Sequence, residues 1–133
     1  MSILVIAEHD NNNIKGSTLN TVAAASEISG EISLLVAGSN CTSVLEEAQI
    51  INNVSKIISV DDEKYANFLA EDMSLLVLSI ANNYKYIMAP APPVITTTLL
   101  FISIILFLRC CFLFYNIQKL TKTFNLHNIK ITS

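Results

Sequence analysis

The run Ile3-Leu-Val-Ile-Ala7 decides the fold. It contains five consecutive apolar residues, several of them β-branched, and it ends at the polar triplet Glu8-His9-Asp10, so it is too short for a helix. Unbroken apolar runs of this length are typical of strands buried on both faces, as in parallel sheets. Residues 32–37 repeat the pattern, and residues 56–60 and 86–89 supply two more runs. The sequence therefore predicts four strands of a parallel sheet.

The segment between the first two strands predicts a helix. Ser17 follows a polar loop with three consecutive asparagines and is suited to capping a helix that runs to Ile28. Gly30 then ends the helix, at a position that we expect to need positive φ. Helical spacing places one set of side chains on the predicted buried face: Leu19, Val22, Ala23 and Ser26.

Two further helices complete the alternation. Ser43, with Glu46 three residues later, matches a capping box and predicts a short helix that ends near Ile50. Asp61-Asp62-Glu63 places negative charge before the next helix, where the helix dipole favours it. That helix is predicted over residues 66–82, because apolar residues recur there at helical spacing: Leu69, Met73, Leu76, Val77 and Ile80.

Strand and helix alternate along residues 1–91 with short connections. Such alternation favours right-handed crossovers, so we predict an α/β fold, a parallel sheet with flanking helices that is Rossmann-like but incomplete. Ligands of such folds bind at the carboxyl ends of the strands. In this sequence those ends carry Glu8-His9-Asp10, Ala37-Gly38-Ser39 and Asp61-Asp62.

These polar segments offer candidate chemistry, and each has a structural alternative. Glu8-His9-Asp10 and Asp61-Asp62 would form a metal or acid–base site only if their side chains converged, and adjacent residues of a strand point to opposite faces. Gly38 would let a phosphate approach, but the three glycines of the chain provide neither a G-x-G-x-x-G motif nor a P-loop. We therefore assign no catalytic, cofactor-binding or metal-ligating residue.

The cysteines and the second histidine receive no assignment either. Cys41 is predicted to be a loop-side residue near a helix start, where a thiol pKa can be lowered, but no His or Lys is placed to activate it. Cys110-Cys111 are expected to be apolar filler, with palmitoylation as the alternative, and His127 has no visible partner. Three cysteines without metal-ligand spacing predict no disulfide framework and favour a reducing compartment.

Composition changes abruptly at Ala89-Pro-Ala91. All eleven carboxylates and four of the eight basic residues precede this point, so residues 1–90 carry a formal charge of −7 and residues 91–133 carry +4. The net charge of −3 and the lack of a basic patch with interleaved aromatics argue against a nucleic-acid partner. The first residues have no basic n-region, so we expect no secretory signal and a cytoplasmic location.

Residues 92–133 are predicted to be a hydrophobic helical tail, with two interpretations. From Val94 to Tyr115 the sole charge is Arg109, and as a helix this stretch would extend about 33 Å, enough to cross a bilayer. Basic residues follow it and would hold that end in the cytosol, which would send the acidic domain outside. The alternative is out-of-frame translation, because residues 92–133 contain no carboxylate and are rich in Ile, Leu, Phe, Asn and Thr.

Five stretches within residues 3–91 resemble the N-terminal domain of the electron transfer flavoprotein alpha subunit, in order and in register with the predicted elements. They are Ile3-Leu-Val-Ile-Ala-Glu-His9, Leu34-Leu-Val-Ala-Gly38, Val54-Ser-Lys-Ile-Ile58, Tyr65-Ala with Ala70-Glu71, and Tyr84-Lys-Tyr-Ile-Met-Ala-Pro-Ala91. The resemblance ends at Ala91, where the family would continue with a Gly-Lys stretch and a Pro-Arg pair.

The resemblance implies an electron carrier between dehydrogenases and the respiratory chain, which pairs with a beta subunit and holds FAD in a separate C-terminal domain. No residue of this chain matches a flavin-contacting position of the family. We therefore expect a truncated alpha subunit that is not an enzyme, binds no FAD alone and is inactive alone. Two alternatives are a membrane-anchored acidic α/β binding domain and a nucleotide-binding module with the same kind of sheet.

Overall fold

The computed structural model describes residues 2–90 and the backbone of residues 129–132. Within these residues, the regular elements are β1 (Ser2–Ile6), α1 (Gly16–Ser26), β2 (Glu31–Gly38), α2 (Thr42–Gln49), β3 (Lys56–Asp61), α3 (Ala70–Ile80), β4 (Tyr86–Met88) and β5 (Ile129–Thr132). Single 3₁₀ turns at Glu63–Tyr65 and Ala81–Asn83 flank α3.

The strands form one sheet in the order β4-β1-β2-β3-β5. β1 pairs in parallel with both β2 and β4, and β2 pairs in parallel with β3. The predicted four-strand parallel sheet with flanking helices is thus confirmed. β5 lies within residues 92–133, which were predicted to be a helical tail, so that prediction is wrong for residues 129–132. β5 pairs antiparallel with β3, with Ile131 opposite Ile58. Its sequence, Ile-Lys-Ile-Thr, alternates in the manner of an edge strand.

The core lies in two layers, one on each face of the sheet. Successive side chains of a strand point to opposite faces, so β1 sends Ile3 and Val5 into one layer and Leu4 and Ile6 into the other. Helices α1 and α2 cover the first layer, and α3 covers the second. Burying each of these large side chains contributes about 1.5–3 kcal/mol, which explains why the strand sequences are mostly apolar.

The buried face of α1 differs from the predicted one. Val22 is buried as expected, but Leu19 is 48% exposed, and Ala23 and Ser26 are also exposed. The face consists instead of Thr18, Val22 and Ala25. The Thr18 hydroxyl fixes this rotation, because it accepts from the Glu8 amide at 2.8 Å and donates to the Glu8 carbonyl at 3.0 Å. A polar residue thus faces inward where an apolar one was expected.

The predicted caps of α1 and α2 are wrong. Lys15 and Cys41 are the N-cap residues, and neither makes a side-chain capping bond. Ser17 and Ser43 lie inside the helices, and the Ser17 hydroxyl donates to the Glu8 carboxylate instead. No glycine has positive φ, so Gly30 does not end α1 in a left-handed conformation. Among residues 2–90, positive φ is instead adopted by Asn11, Asn40, Asn53 and Phe68.

Helix α3 is shorter than the predicted span of residues 66–82. Phe68 has a φ of 51°, which interrupts the helix, and Leu69 is the extended N-cap residue. Leu69 is therefore 52% exposed instead of buried. Met73, Leu76 and Val77 are buried as predicted, since they lie within the regular part of the helix.

Within residues 2–90 and 129–132, no helix has the length and apolar character needed to span a membrane. The predicted membrane helix at residues 94–115 lies outside the described residues, as do Cys110, Cys111 and His127. Those assignments stay predictions.

Candidate functional site

The carboxyl ends of β1, β2 and β3 meet along one edge of the sheet. We call this region the carboxyl edge, and it consists of residues 8–11, 37–40 and 61–62 with Phe68. It contains the three polar segments that the sequence marked as candidate ligand sites. Hydrogen bonds from side chains to backbone groups connect these segments. The same bonds determine which polar groups of the edge are available to a ligand.

Glu8 turns toward the first turn of α1. The Ser17 hydroxyl donates to one carboxylate oxygen, and Lys15 Nζ lies 3.2 Å from the other. The Ser17 hydrogen bond, supported by the Lys15 charge, holds the pKa of Glu8 below its usual value. The carboxylate thus occupies the anion-favouring end of this helix.

His9 turns the other way, toward the end of β2 and Phe68. Its side chain is buried at 4% exposure, and Nε2 lies 3.1 Å from the Ala37 carbonyl oxygen. Nδ1 accepts from the Asn11 amide at 3.1 Å, which requires the neutral ring with the proton on Nε2. Burial lowers the pKa of His9, and the neighbouring Asp10 carboxylate opposes that shift. Both ring nitrogens are therefore engaged.

Asn11 joins three strand ends, and sequence reasoning missed it. Its Oδ1 accepts from the Ser39 amide at 3.2 Å, and its Nδ2 donates to the Ala66 carbonyl at 3.3 Å. Its φ of 69° is a conformation that asparagine tolerates better than most residues. The run of three asparagines was a signal for a turn, but it did not show which one would reach across the edge.

Gly38 lies directly beneath these side chains. A Cβ at this position would come within 2.3 Å of Asn11 Oδ1 and 2.8 Å of His9 Cε1. Glycine is required here by close packing, since its φ is not positive. The space that a phosphate would need next to Gly38 is filled by the chain's own side chains.

The two aspartates at the end of β3 accept hydrogen bonds from backbone amides of two different loops. Asp61 Oδ1 accepts from the Asn40 amide at 2.7 Å, and Asp62 Oδ1 accepts from the Lys64 amide at 2.9 Å. Within the described part of the chain, no three His, Cys, Asp or Glu side chains are grouped so that they could hold a metal ion. The arrangement links loops to one another.

Cys41 is fully buried in the layer under α1 and α2. Burial, with a smaller contribution from the Asp61 charge, raises the pKa of its thiol. Cys41 is the N-cap residue of α2, so its predicted place beside a helix start is confirmed, but its thiol is held in the unreactive protonated form.

The carboxyl edge does not fit the pyrophosphate of a dinucleotide such as FAD. A pyrophosphate needs free amides at a helix N-terminus and a close backbone approach at glycine. Here the Glu8 carboxylate lies beside the first turn of α1 and would repel phosphate, and Asn11 and His9 cover Gly38. We derive no flavin chemistry at this edge.

Comparisons with known proteins identify the family to which this chain belongs. Residues 3–93 match the family model of the electron transfer flavoprotein domain. The chain is 46% identical over 91 residues to electron transfer flavoprotein subunit alpha of Pseudomonas aeruginosa, which covers 68% of this chain and 29% of the relative. It is 36% identical over 85 residues to the probable mitochondrial alpha subunit of Caenorhabditis elegans, covering 64% of the chain and 26% of the relative.

A third relative is the mitochondrial alpha subunit of Dictyostelium discoideum, with 40% identity over 81 residues, 60% of this chain and 23% of the relative. The chain thus spans less than a third of the length of the curated relatives it matches. The matched region contains β1 to β4 and the whole carboxyl edge. This chain belongs to the electron transfer flavoprotein family.

Proposed function

We propose that residues 1–91 are the N-terminal α/β part of an electron transfer flavoprotein alpha subunit and act as a scaffold that docks a beta subunit. The assembled protein would carry electrons between dehydrogenases and the respiratory chain, in the cytoplasm, without catalysing a reaction of its own. The family match over residues 3–93 is the observation that carries this proposal. The carboxyl edge supports it, because its polar groups bond to one another and not outward.

The proposal includes a negative statement about the flavin. This chain alone binds no FAD and carries no electrons, because Asn11 and His9 fill the space that a pyrophosphate would need beside Gly38 and the Glu8 carboxylate lies beside the first turn of α1. We further propose that residues 92–133 do not continue the family sequence. The nucleotide sequence downstream of codon 91 tests this point, because a shifted frame that encodes the missing Gly-Lys and Pro-Arg stretch would identify out-of-frame translation.

The outer surface of α1 and α2 is our candidate docking surface for the beta subunit. A groove of about 410 Å³ lies there, lined by Ile14, Leu19, Glu47, Ile50, Ile51 and Asn52. Ile50 is 81% exposed and Leu19 is 48% exposed, which is unusual for large aliphatic side chains. Contiguous exposed apolar surface with a polar rim is typical of protein–protein interfaces. The relatives are named subunit alpha, which implies a partner subunit in those proteins.

Co-expression with the beta subunit of the Pseudomonas aeruginosa protein tests the docking. We expect the tagged full chain to retain the beta subunit on an affinity column, and Ile50→Glu to abolish retention. Leu69→Glu is the matched control, because Leu69 is also about half exposed but lies at the start of α3, away from the groove. Equal retention by both variants would exclude the groove, and no retention by the wild-type chain would overturn the docking proposal.

Flavin absorbance tests the negative statement separately. We expect the purified chain to show no 450 nm absorbance above background after incubation with excess FAD and gel filtration. Stoichiometric co-purification of flavin would contradict it.

A further inference from the structure

The His9 ring is in contact with three separate segments of the carboxyl edge. Nε2 donates to the Ala37 carbonyl at the end of β2, and Nδ1 accepts from the Asn11 amide in the loop after β1. The ring of Phe68, in the segment before α3, packs edge to face on it with the centroids 5.0 Å apart. A single buried imidazole thus holds together the loops that follow β1 and β3.

Two of these loops are held in unfavourable backbone conformations. Phe68 has a φ of 51° and Asn11 a φ of 69°, and positive φ is a true outlier for a bulky residue such as phenylalanine. Such conformations persist when surrounding contacts over-determine them. The ring contact on Phe68 and the hydrogen bond to the Asn11 amide both come from His9, so the ring is one restraint that the two residues share.

We propose that protonation of His9 opens the carboxyl edge locally, releasing residues 10–15 and 62–69 while strands β1 to β4 stay paired. A proton from solvent would attach to Nδ1, where the Asn11 N–H already points. The N–H groups of His9 Nδ1 and of the Asn11 amide would then face each other, and the loop after β1 would lose its hydrogen bond to the ring. Asn11 would also lose its alignment with the Ser39 amide and the Ala66 carbonyl, which couple it to the ends of β2 and of the 3₁₀ turn.

The charged groups around the ring are few. Asp10, on the same segment, is the one carboxylate whose charge acts on His9, and it favours the protonated form. β2 presents only uncharged groups to the ring, and Phe68 is the contact from the segment before α3. The other nearby ionic groups are engaged elsewhere: Glu8 with Lys15 and Ser17, Asp61 with Asn40, and Lys64 with Asp72.

The direction of the response follows from burial. Burial lowers the pKa of His9 below 6.5, so the edge is closed at neutral pH and opens as the solution becomes acidic. Below pH 6.5 the equilibrium constant for opening should rise up to about tenfold for each unit, until the depressed pKa is passed.

Hydrogen exchange by NMR on the full chain tests the proposal between pH 7.5 and 4.5. We expect the protection factors of the Asn11 and Ser39 amides to fall up to about tenfold per pH unit. The amides around Leu35, which lie in the middle of the sheet, should keep theirs. The Cε1 proton shift of His9 should titrate as the Asn11 and Ser39 amides lose protection. His127→Gln is the matched control, because it removes the other histidine and should leave this response unchanged.

Two variants distinguish the effect of protonating His9 from other effects of acid on the protein. His9→Asn keeps an acceptor near the Nδ1 position but does not titrate, so the pH response should disappear. Asp10→Asn should move it to lower pH, because the carboxylate favours the protonated ring. Unchanged protection at Asn11 and Ser39 across the His9 titration would overturn the proposal, as would simultaneous loss at Leu35. The wild-type comparison decides the matter even if a variant does not fold.

Discussion

Gly38→Ala is the substitution that should most sharply test the packing of the carboxyl edge. The new methyl group would lie 2.3 Å from Asn11 Oδ1 and 2.8 Å from His9 Cε1, so the Asn11 side chain must move. Moving it breaks the bonds to the Ser39 amide and the Ala66 carbonyl. Each such bond contributes about 0.5–1.5 kcal/mol, and overpacking adds about 1–3 kcal/mol.

A smaller effect works in the opposite direction. Alanine restricts the unfolded chain and so stabilises a compatible site by about 0.4–1 kcal/mol. We therefore expect Gly38→Ala to lower the free energy of unfolding by about 3 kcal/mol, measured by urea denaturation at pH 7.5. Gly16→Ala is the control, because a Cβ there meets nothing within 4 Å, and it should be neutral or slightly stabilising.

A double-mutant cycle identifies the cause. Asn11→Gly keeps the positive φ of that position and removes the clashing oxygen, at the expense of the two hydrogen bonds. In that background Gly38→Ala should cost about 1 kcal/mol or less, because the remaining contact is with His9. Strictly additive effects of the two substitutions would refute the reasoning, since they would show that Asn11 and Gly38 do not contact each other.

Three further predictions concern the core under α3, the rotation of α1 and the titration of His9. Urea denaturation checks each of them. Leu76→Ala should lower the free energy of unfolding by about 2–5 kcal/mol because Leu76 is fully buried, whereas Leu19→Ala, at 48% exposure, should cost less than about 1 kcal/mol. Thr18→Val should cost about 1–3 kcal/mol because the Glu8 amide loses its acceptor, and Thr21→Val is the control. The free energy of unfolding should fall by up to about 1.4 kcal/mol per pH unit below pH 6.5, because the unfolded chain binds a proton that native His9 resists, and His9→Asn should remove this slope.

The sequence was a good guide to elements that depend on apolar runs. β1 to β3 begin and end within one or two residues of their predicted limits, because burial on both faces of a sheet demands continuous hydrophobic sequence. The rotation of α1 was not predictable in the same way. Thr18 and Leu19 compete for the inward position, and the choice depends on a hydrogen bond to Glu8 that only the folded chain brings within reach.

The candidate site shows the same division. Alternation along β1 correctly separated Glu8 from His9, since that rule needs only local geometry. Asn11 was not predicted as a site residue, because its side chain bonds to Ser39 and Ala66, which are distant in sequence. The predicted cap at Ser17 failed for a related reason, because the Ser17 hydroxyl donates to the Glu8 carboxylate, nine residues earlier, and does not accept from an amide of the helix.

The carboxyl edge also shows how a sheet of the ligand-binding kind can be closed by its own side chains. In ligand-binding proteins of this architecture, glycines and unpaired backbone amides at this edge bind the phosphate groups of the ligand. In this chain Glu8 supplies the negative charge beside α1, and Asn11 fills the approach to Gly38. The polar groups that would hold a ligand are satisfied internally, so the edge is closed without one. Closing it in this way buries an ionisable ring, and the stability of the edge is therefore tied to the protonation of His9.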